Sequence, residues 1–227
     1  MNTSIQVTPE GIWVVEGDTL SSEYIRCQGR LDVERAYIER FRPYVPEGGV
    51  VADIGACLGD HTATYSEFVG PRGQVHAFEP EGVALTCLRR NMERYPNVKV
   101  HGVALGRWNE PAALSYDGLN LGSGHLTPDT SGLVDVVNLD AVAQDWPRLD
   151  FVKIDVEGYE PWVLEGAVET LSRLRPVLLI EINQTTLGWL GLKPEDVYEW
   201  LTVLGYEFTP TTRPLDDILA LPKVGQS

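Results

Sequence analysis

The sequence predicts an α/β domain with helices packed on both faces of a mostly parallel sheet. Three observations carry that prediction. Short runs of β-branched and aliphatic residues alternate with longer helical patterns. That alternation calls for crossover connections, which are right-handed between parallel strands. The first run also ends in a glycine turn, Asp53-Ile54-Gly55-Ala56-Cys57-Leu58-Gly59, and sheets of this class bind ligands beyond the carboxyl ends of their strands.

The elements follow in order. Residues 50–54 read as a strand closed by Gly55, and residues 60–69 as a helix stopped by Gly70-Pro71. A strand over 74–78 leads to a helix over 81–95 with Leu85, Leu88 and Met92 inward, then to a short strand over 98–101. The rhythm breaks at 111–137. Residues 112–116 and 134–137 read as strands around a loop rich in Gly, Asn and Ser, and a loop that long in a compact domain is often functional. Alternation resumes with a strand over 151–155, a helix over 160–174 and an aliphatic buried strand over 177–182. A helix over 194–204 has proline in its first turn. Residues 206–209 and 218–221 supply a terminal antiparallel hairpin, which brings the sheet to seven strands. No linker divides the chain, so residues 1–227 read as one domain, with 1–46 as an N-terminal cap and 47–227 as the core.

The 227 residues, 43% hydrophobic and 22% charged, suit a globular chain with a full core. A net charge of −15 disfavours nucleic acid and anionic lipid as partners. Cys27, Cys57 and Cys87 are too few and too scattered for a disulfide framework or a zinc site. No signal peptide and no membrane span is visible, so the expectation is a cytoplasmic protein, and a homo-oligomer stays open.

The glycine turn lets backbone pass close under a ligand. A dinucleotide fingerprint, G-x-G-x-x-G, would put its second and third glycines on Cys57 and Asp60, and neither is glycine. The spacing D-x-G-x-x-x-G instead resembles motif I of S-adenosylmethionine-dependent methyltransferases. Asp53 is then a candidate for the ligand's ammonium group. Glu79-Pro80 ends the second strand, where a carboxylate can accept from both ribose hydroxyls.

Residues 50–183 resemble the FkbM family of methyltransferases. The match runs through Val51-Ala52-Asp53-Ile54-Gly55-Ala56 with Gly59, Ala77-Phe78-Glu79-Pro80, Asn91, Val103-Ala104-Leu105-Gly106 and Leu139-Asp140. It continues through Lys153-Ile154-Asp155-Val156-Glu157-Gly158, its most specific piece, to Arg175-Pro176 and Ile180-Glu181. Gly59-Asp60-His61-Thr62 resembles one branch of the family. The resemblance implies a Rossmann-like methyltransferase fold, S-adenosyl-L-methionine as cofactor, and a hydroxyl-bearing natural product, sugar or lipid as acceptor. It fades over residues 1–46 and beyond about residue 190.

Methyl transfer to a hydroxyl needs alignment and a proton acceptor. Asp155 is the first candidate, either holding the cofactor's methionine end or acting as base, with Glu157 beside it. Both also suit a plain helix N-terminus, because Glu160-Pro161 opens a helix nearby. His125, in the glycine-rich loop, has a pKa suited to a base; a solvated loop histidine is the competing reading. On the cofactor side the candidates are Asp53, Gly55, Ala56, Cys57, Gly59, His61, Thr62, Glu79, Pro80, Ala104, Leu105 and Asp155, with His61 placed to touch cofactor or acceptor and Ala104 and Leu105 to flank the adenine. His76 and His101 read as structural and Asp140 as a helix cap. Asp155, Glu181 and Asn183 offer three oxygen ligands, but a metal-free site is expected. Trp108, Trp189 and Trp200 are packing residues or acceptor-pocket walls. An N-methyltransferase, a nicotinamide-dependent oxidoreductase on a similar sheet and a catalytically silent binding module are the alternatives to O-methylation. The glycine spacing argues against the oxidoreductase, and the intact Asp53, Glu79 and Asp155 against the silent module.

Overall fold

A computed structural model describes residues 4–80, 82–107, 111–116, 120–127, 134–211 and 217–223. The chain begins with an antiparallel pair, β1 (Ile5–Val7) and β2 (Trp13–Val15), followed by α1 (Ser21–Gln28), α2 (Arg35–Ile38) and a 3-10 turn at Glu39–Tyr44. The main sheet then starts with β3 (Val50–Ile54), α3 (Asp60–Val69), β4 (Gln74–Phe78), α4 (Val83–Met92) and β5 (Val98–His101). Short strands β6 (Ala104–Leu105), β7 (Pro111–Ser115), β8 (His125–Thr127) and β9 (Val134–Val137) come next. After α5 (Leu139–Val142) come β10 (Phe151–Ile154), α6 (Glu160–Glu165), α7 (Val168–Leu174) and β11 (Val177–Ile180). The chain closes with α8 (Gln184–Trp189), α9 (Pro194–Val203), β12 (Tyr206–Pro210) and β13 (Ile218–Pro222).

The seven-stranded sheet has the order β12-β13-β11-β10-β3-β4-β5. The five strands from β11 to β5 run parallel, and the β12–β13 hairpin adds antiparallel beside β11. Side chains alternate across it as the two-residue period of a strand requires. Ala52, Ile54, Val152, Ile154, Leu178 and Ile180 enter one core, while Val51, Val75, Phe151 and Leu179 enter another. Both faces are therefore dry, which is why these strands read as continuous aliphatic runs.

Three local departures from the sequence reading have physical causes. The helix expected over 160–174 is two helices, because the chain at Gly166 touches backbone: a Cβ there would lie 1.9 Å from the Gly106 carbonyl oxygen. Asp140 caps the second of them, accepting from the Glu169 and Thr170 N–H groups at 3.0 and 2.7 Å. The loop expected after residue 116 contains β8 and a 3-10 turn at Leu121–Ser123, and with β6, β7 and β9 it forms a four-stranded sheet of order β6-β9-β7-β8; residues 117–119 and 128–133 lie outside the described residues. The α8 helix was not anticipated.

The N-terminal segment packs on α4. Asn91 accepts from the Trp13 N–H at 2.8 Å and donates to the Trp13 and Leu58 carbonyls at 3.0 and 2.9 Å. Ile12, Val14, Val15 and Ile25 share a buried cluster with Leu58, Leu88 and Met92. Among the described residues, no helix is long and apolar enough to cross a membrane, and the three cysteines are free. His76 and His101 are structural, as expected: their rings stack at 5.2 Å, with Trp146 3.9 Å from His76.

Candidate cofactor and acceptor site

Strand register sets the spacing of the site. Ile54 pairs with Phe78 on one side and Ile154 on the other, and Ile154 pairs with Ile180. Gly55, Glu79, Asp155 and Glu181 each follow one of these residues, so they stand side by side at the carboxyl edge of the sheet. All four line one cavity of about 400 Å³.

Gly55 has φ +84°, and a Cβ there would lie 1.8 Å from the Asp155 carbonyl oxygen. Only glycine permits the turn to lie this close to β10. The turn then directs the Cys57 N–H to Glu79 Oε2 at 2.9 Å. Glu79 is buried at the end of β4, and burial pushes its carboxyl up to about 7. Val103, Ala104, Leu105 and Phe78 give the adjoining wall an apolar surface.

Lys153 is a charged residue in a fully buried strand. Its Nζ lies 2.8 Å from Asp155 Oδ2, 3.3 Å from the Gly55 carbonyl oxygen and 4.0 Å from Asp53 Oδ1. Burial lowers its pKa, but the Asp155 and Asp53 charges outweigh that and raise it. Burial likewise works against Asp155, yet the Lys153 ammonium and the hydrogen bond from Glu181 hold it below the usual carboxylate range. The Asp155 charge and burial push Glu181 up to about 10. Glu157, on a residue with φ +51°, is pushed up to about 8 by burial and by the charges of Asp155 and Glu160.

The opposite wall comes from the N-terminal segment and the small sheet: Tyr24, Glu34, Tyr116, Leu121, Gly122 and Gly124. Glu34 bonds His61 Nε2 at 2.9 Å, and both Asp60 carboxylate oxygens accept from the Glu34 N–H at 3.3 and 3.2 Å. Burial opposes a charge on His61, but the Glu34 hydrogen bond prevails and raises its pKa. Burial pushes Asp60 up to about 6. Among the described residues Glu34, Asp60 and His61 are the group whose ligand atoms lie close enough for a metal, all within 4.8 Å; this ion pair and helix contact account for them.

Of the residues singled out from sequence, Gly55, Ala56, Cys57, His61, Glu79, Pro80, Ala104, Leu105, Asp155 and Glu157 line the cavity. Four do not. Asp53 is fully buried beneath the turn, where it accepts from Thr62 Oγ1 at 2.5 Å and holds the loop from below. Thr62 is buried with it. Gly59 packs against α4, where a Cβ would meet Met92 and Leu88 at 2.6 and 2.9 Å. His125 sits between the lining residues Gly124 and Leu126, with its ring 4.7 Å from that of Trp189. Its Nδ1–H donates to the Ser123 carbonyl at 3.0 Å, which leaves Nε2 as the acceptor of the neutral ring. Asn183 accepts from the Thr185 N–H at 3.0 Å to cap α8 and does not line the cavity that holds Asp155 and Glu181. Trp189 is 47% exposed, Trp200 packs against the core, and Trp108 lies outside the described residues. Sequence reasoning gave Lys153 no site role, although a lysine in an aliphatic strand signals a buried partner. It also passed over Glu34, Tyr24 and Tyr116.

A family model described as the methyltransferase FkbM domain matches residues 53–208. The hexuronic acid methyltransferase AglP of Haloferax volcanii is 28% identical over 202 residues, covering 85% of this chain and 77% of that protein. The crystal structure of methyltransferase FkbM from Methylobacillus flagellatus KT superposes over 77% of this chain with a TM-score of 0.54 and 23% identity, and this chain spans 44% of its length. Aeropyrum pernix fibrillarin, solved with natively bound S-adenosyl-L-methionine, superposes over 78% of this chain and 67% of its own with a TM-score of 0.50 and 14% identity. Both structures share the Rossmann-like fold. The matched span runs from the glycine turn into β12 and includes Glu79, Asp155 and Glu181, and the chain belongs to the FkbM family of S-adenosylmethionine-dependent methyltransferases.

Proposed function

We propose that this protein transfers the methyl group of S-adenosylmethionine to a hydroxyl oxygen of a sugar or similar small acceptor. The observation that carries this reading is the acidic lining of the cavity. Glu34, Asp60, Glu79, Asp155, Glu157 and Glu181 line it, and its described cations, Lys153 and His61, are engaged by Asp155 and Glu34. Such a site fits a cofactor with a sulfonium and an ammonium group. Glu79 would take the ribose hydroxyls, Ala104 and Leu105 the adenine, and Asp155 the cationic methionine end. When bound, the cofactor supplies a methyl group already activated by positive sulfur.

The acceptor must bring a lone pair into this acidic space. Carboxylates around an amine keep it protonated and without a nucleophilic lone pair. An acceptor carboxylate would meet no free cation among the described lining residues. A neutral hydroxyl avoids both penalties but needs a base, and Glu157, pushed up to about 8, is matched to that task near neutral pH. The half-exposed Trp189 ring beside His125 suits the C–H face of a sugar. The AglP relative is named for a sugar acid, which supports a sugar acceptor and makes uronides the informative controls. The test is methyl transfer from labelled S-adenosylmethionine to matched neutral glycosides, uronides and amino sugars. Methyl ethers formed on the neutral glycosides are expected; transfer confined to amino-sugar nitrogen or to the uronide carboxylate would overturn the hydroxyl reading.

A further inference from the structure

Asp155 and Glu181 follow in-register residues of neighbouring parallel strands, and the Glu181 N–H donates to the Ile154 carbonyl at 2.9 Å. Their carboxyl groups line the same cavity and the same small void beside Lys153. Two carboxylates side by side in one buried site repel each other, and a proton shared between them relieves that repulsion. Lys153 decides where it resides. Its ammonium contacts Asp155 at 2.8 Å, which stabilises the negative form of Asp155 and leaves the proton on Glu181.

We propose that Glu181 is a positioning residue that works as a neutral carboxylic acid, donating to Asp155 so that the ionised Asp155 carboxylate is aimed at the cationic end of the cofactor. This inference rests on the cofactor reading above and extends it to a residue that reaches the methionine end through Asp155. Asp155 then has two donors, Lys153 from its own strand and Glu181 from the next, and neither can be exchanged for water without losing the aim. The groups facing Glu181 agree with the neutral form. Asp155, Glu157 and Asp217 all raise its pKa. Lys153 and His61 line the same small void on its far side, with Tyr37 donating to Asp217 there. Ionising Glu181 would place another negative charge beside three carboxylates, whereas a neutral Glu181 leaves the Lys153–Asp155 pair intact.

Infrared difference spectra of the ligand-free protein at neutral pH, wild type against Glu181→Gln, read the proton directly. A protonated-carboxyl C=O band lost in the variant is expected; identical spectra in that region would overturn the proposal. Titration with S-adenosylhomocysteine supplies the second readout. Glu181→Gln, which still donates to Asp155, should bind within about threefold of wild type, whereas Glu181→Leu should bind about tenfold more weakly. Wild-type affinity in Glu181→Leu, or equal loss in both variants, would contradict the positioning role. Should the leucine variant fail to fold, the infrared comparison still decides. Because that comparison uses no acceptor, it stands apart from any failure of the hydroxyl reading.

Discussion

At the floor of the cavity, Gly55, Glu79, Asp155 and Glu181 each stand one residue beyond strands locked in register, so the sheet itself sets their spacing. The rim is assembled differently. Tyr24 and Glu34 come from the N-terminal segment and Tyr116 and Gly124 from the small sheet, and these pieces are tied together by side chains. Asp18 accepts from the Ser22 and Leu121 N–H groups at 2.6 and 3.1 Å, and Glu34 joins His61 across the cavity wall. A ladder of backbone bonds favours one geometry for a common cofactor, while a rim of single side-chain contacts can vary with the acceptor. Floor substitutions that lose a contact should therefore weaken cofactor binding, and rim substitutions should change acceptor use alone.

The largest effect is expected at Gly55. Gly55→Ala drives a Cβ into the Asp155 carbonyl at a φ that alanine resists, and should cost roughly 3 kcal/mol or more. Thermal melts should show the loss and calorimetry should show no S-adenosylhomocysteine binding; a stable variant that binds normally would break the distinction between floor and rim. Next is Glu79→Ala, which should weaken S-adenosylhomocysteine at least about tenfold by removing a charged acceptor. The wild type should mimic this in acid. Glu79 titrates near 7, so its carboxylate is lost as pH falls through that value, and affinity should fall with it.

Two titrations of opposite sign sharpen the comparison further. Glu157 is raised from 4.5 to about 8 in the folded state. The stability linked to its proton is complete below 4.5 and lost as pH rises through about 8. Glu157→Gln should therefore raise Tm by a few degrees above that pH and change little in acid. His76, remote at the β4–β5 edge, is lowered from 6.5 to about 3, mainly by burial. The unfolded chain takes up its proton first, so this contribution is present above 6.5 and lost as pH falls towards 3. His76→Gln should flatten that acid limb in a melt series. The smallest effect on cofactor and fold is expected at Trp189, which stands against His125 next to the rim: Trp189→Ala should leave stability and S-adenosylhomocysteine affinity within about 0.5 kcal/mol of wild type while raising the acceptor KM, measured once an acceptor is in hand.

The same division decides what could be read from sequence. Every strand of the main sheet was legible: β3, β4, β10 and β11, buried on both faces, show as apolar runs between glycine and helix signals, and the partly exposed β5, β12 and β13 show as runs of β-branched, aliphatic or aromatic residues. The floor residues were legible for the same reason, since Gly55, Glu79 and Asp155 simply follow those runs. Asp53 was ambiguous because an aspartate in the motif can serve either the ligand or the loop, and the Thr62 contact shows the loop role. The rim was largely hidden. Strand β8 has three residues and pairs His125 with Ser115 across the chain, and Glu34 meets His61 only after α2 packs on α3. Such non-local contacts leave no periodicity to read. Gly166 marks an intermediate case, since a mid-helix glycine hints at a break but its Gly106 contact is tertiary.

The measurement that tests this account most directly is calorimetric titration of the purified protein with S-adenosylhomocysteine and, separately, with NADH. Binding of S-adenosylhomocysteine alone, weakened in Glu79→Ala and retained in Trp189→Ala, is the predicted result. Binding of NADH without S-adenosylhomocysteine, or S-adenosylhomocysteine binding that ignores Glu79, would contradict it.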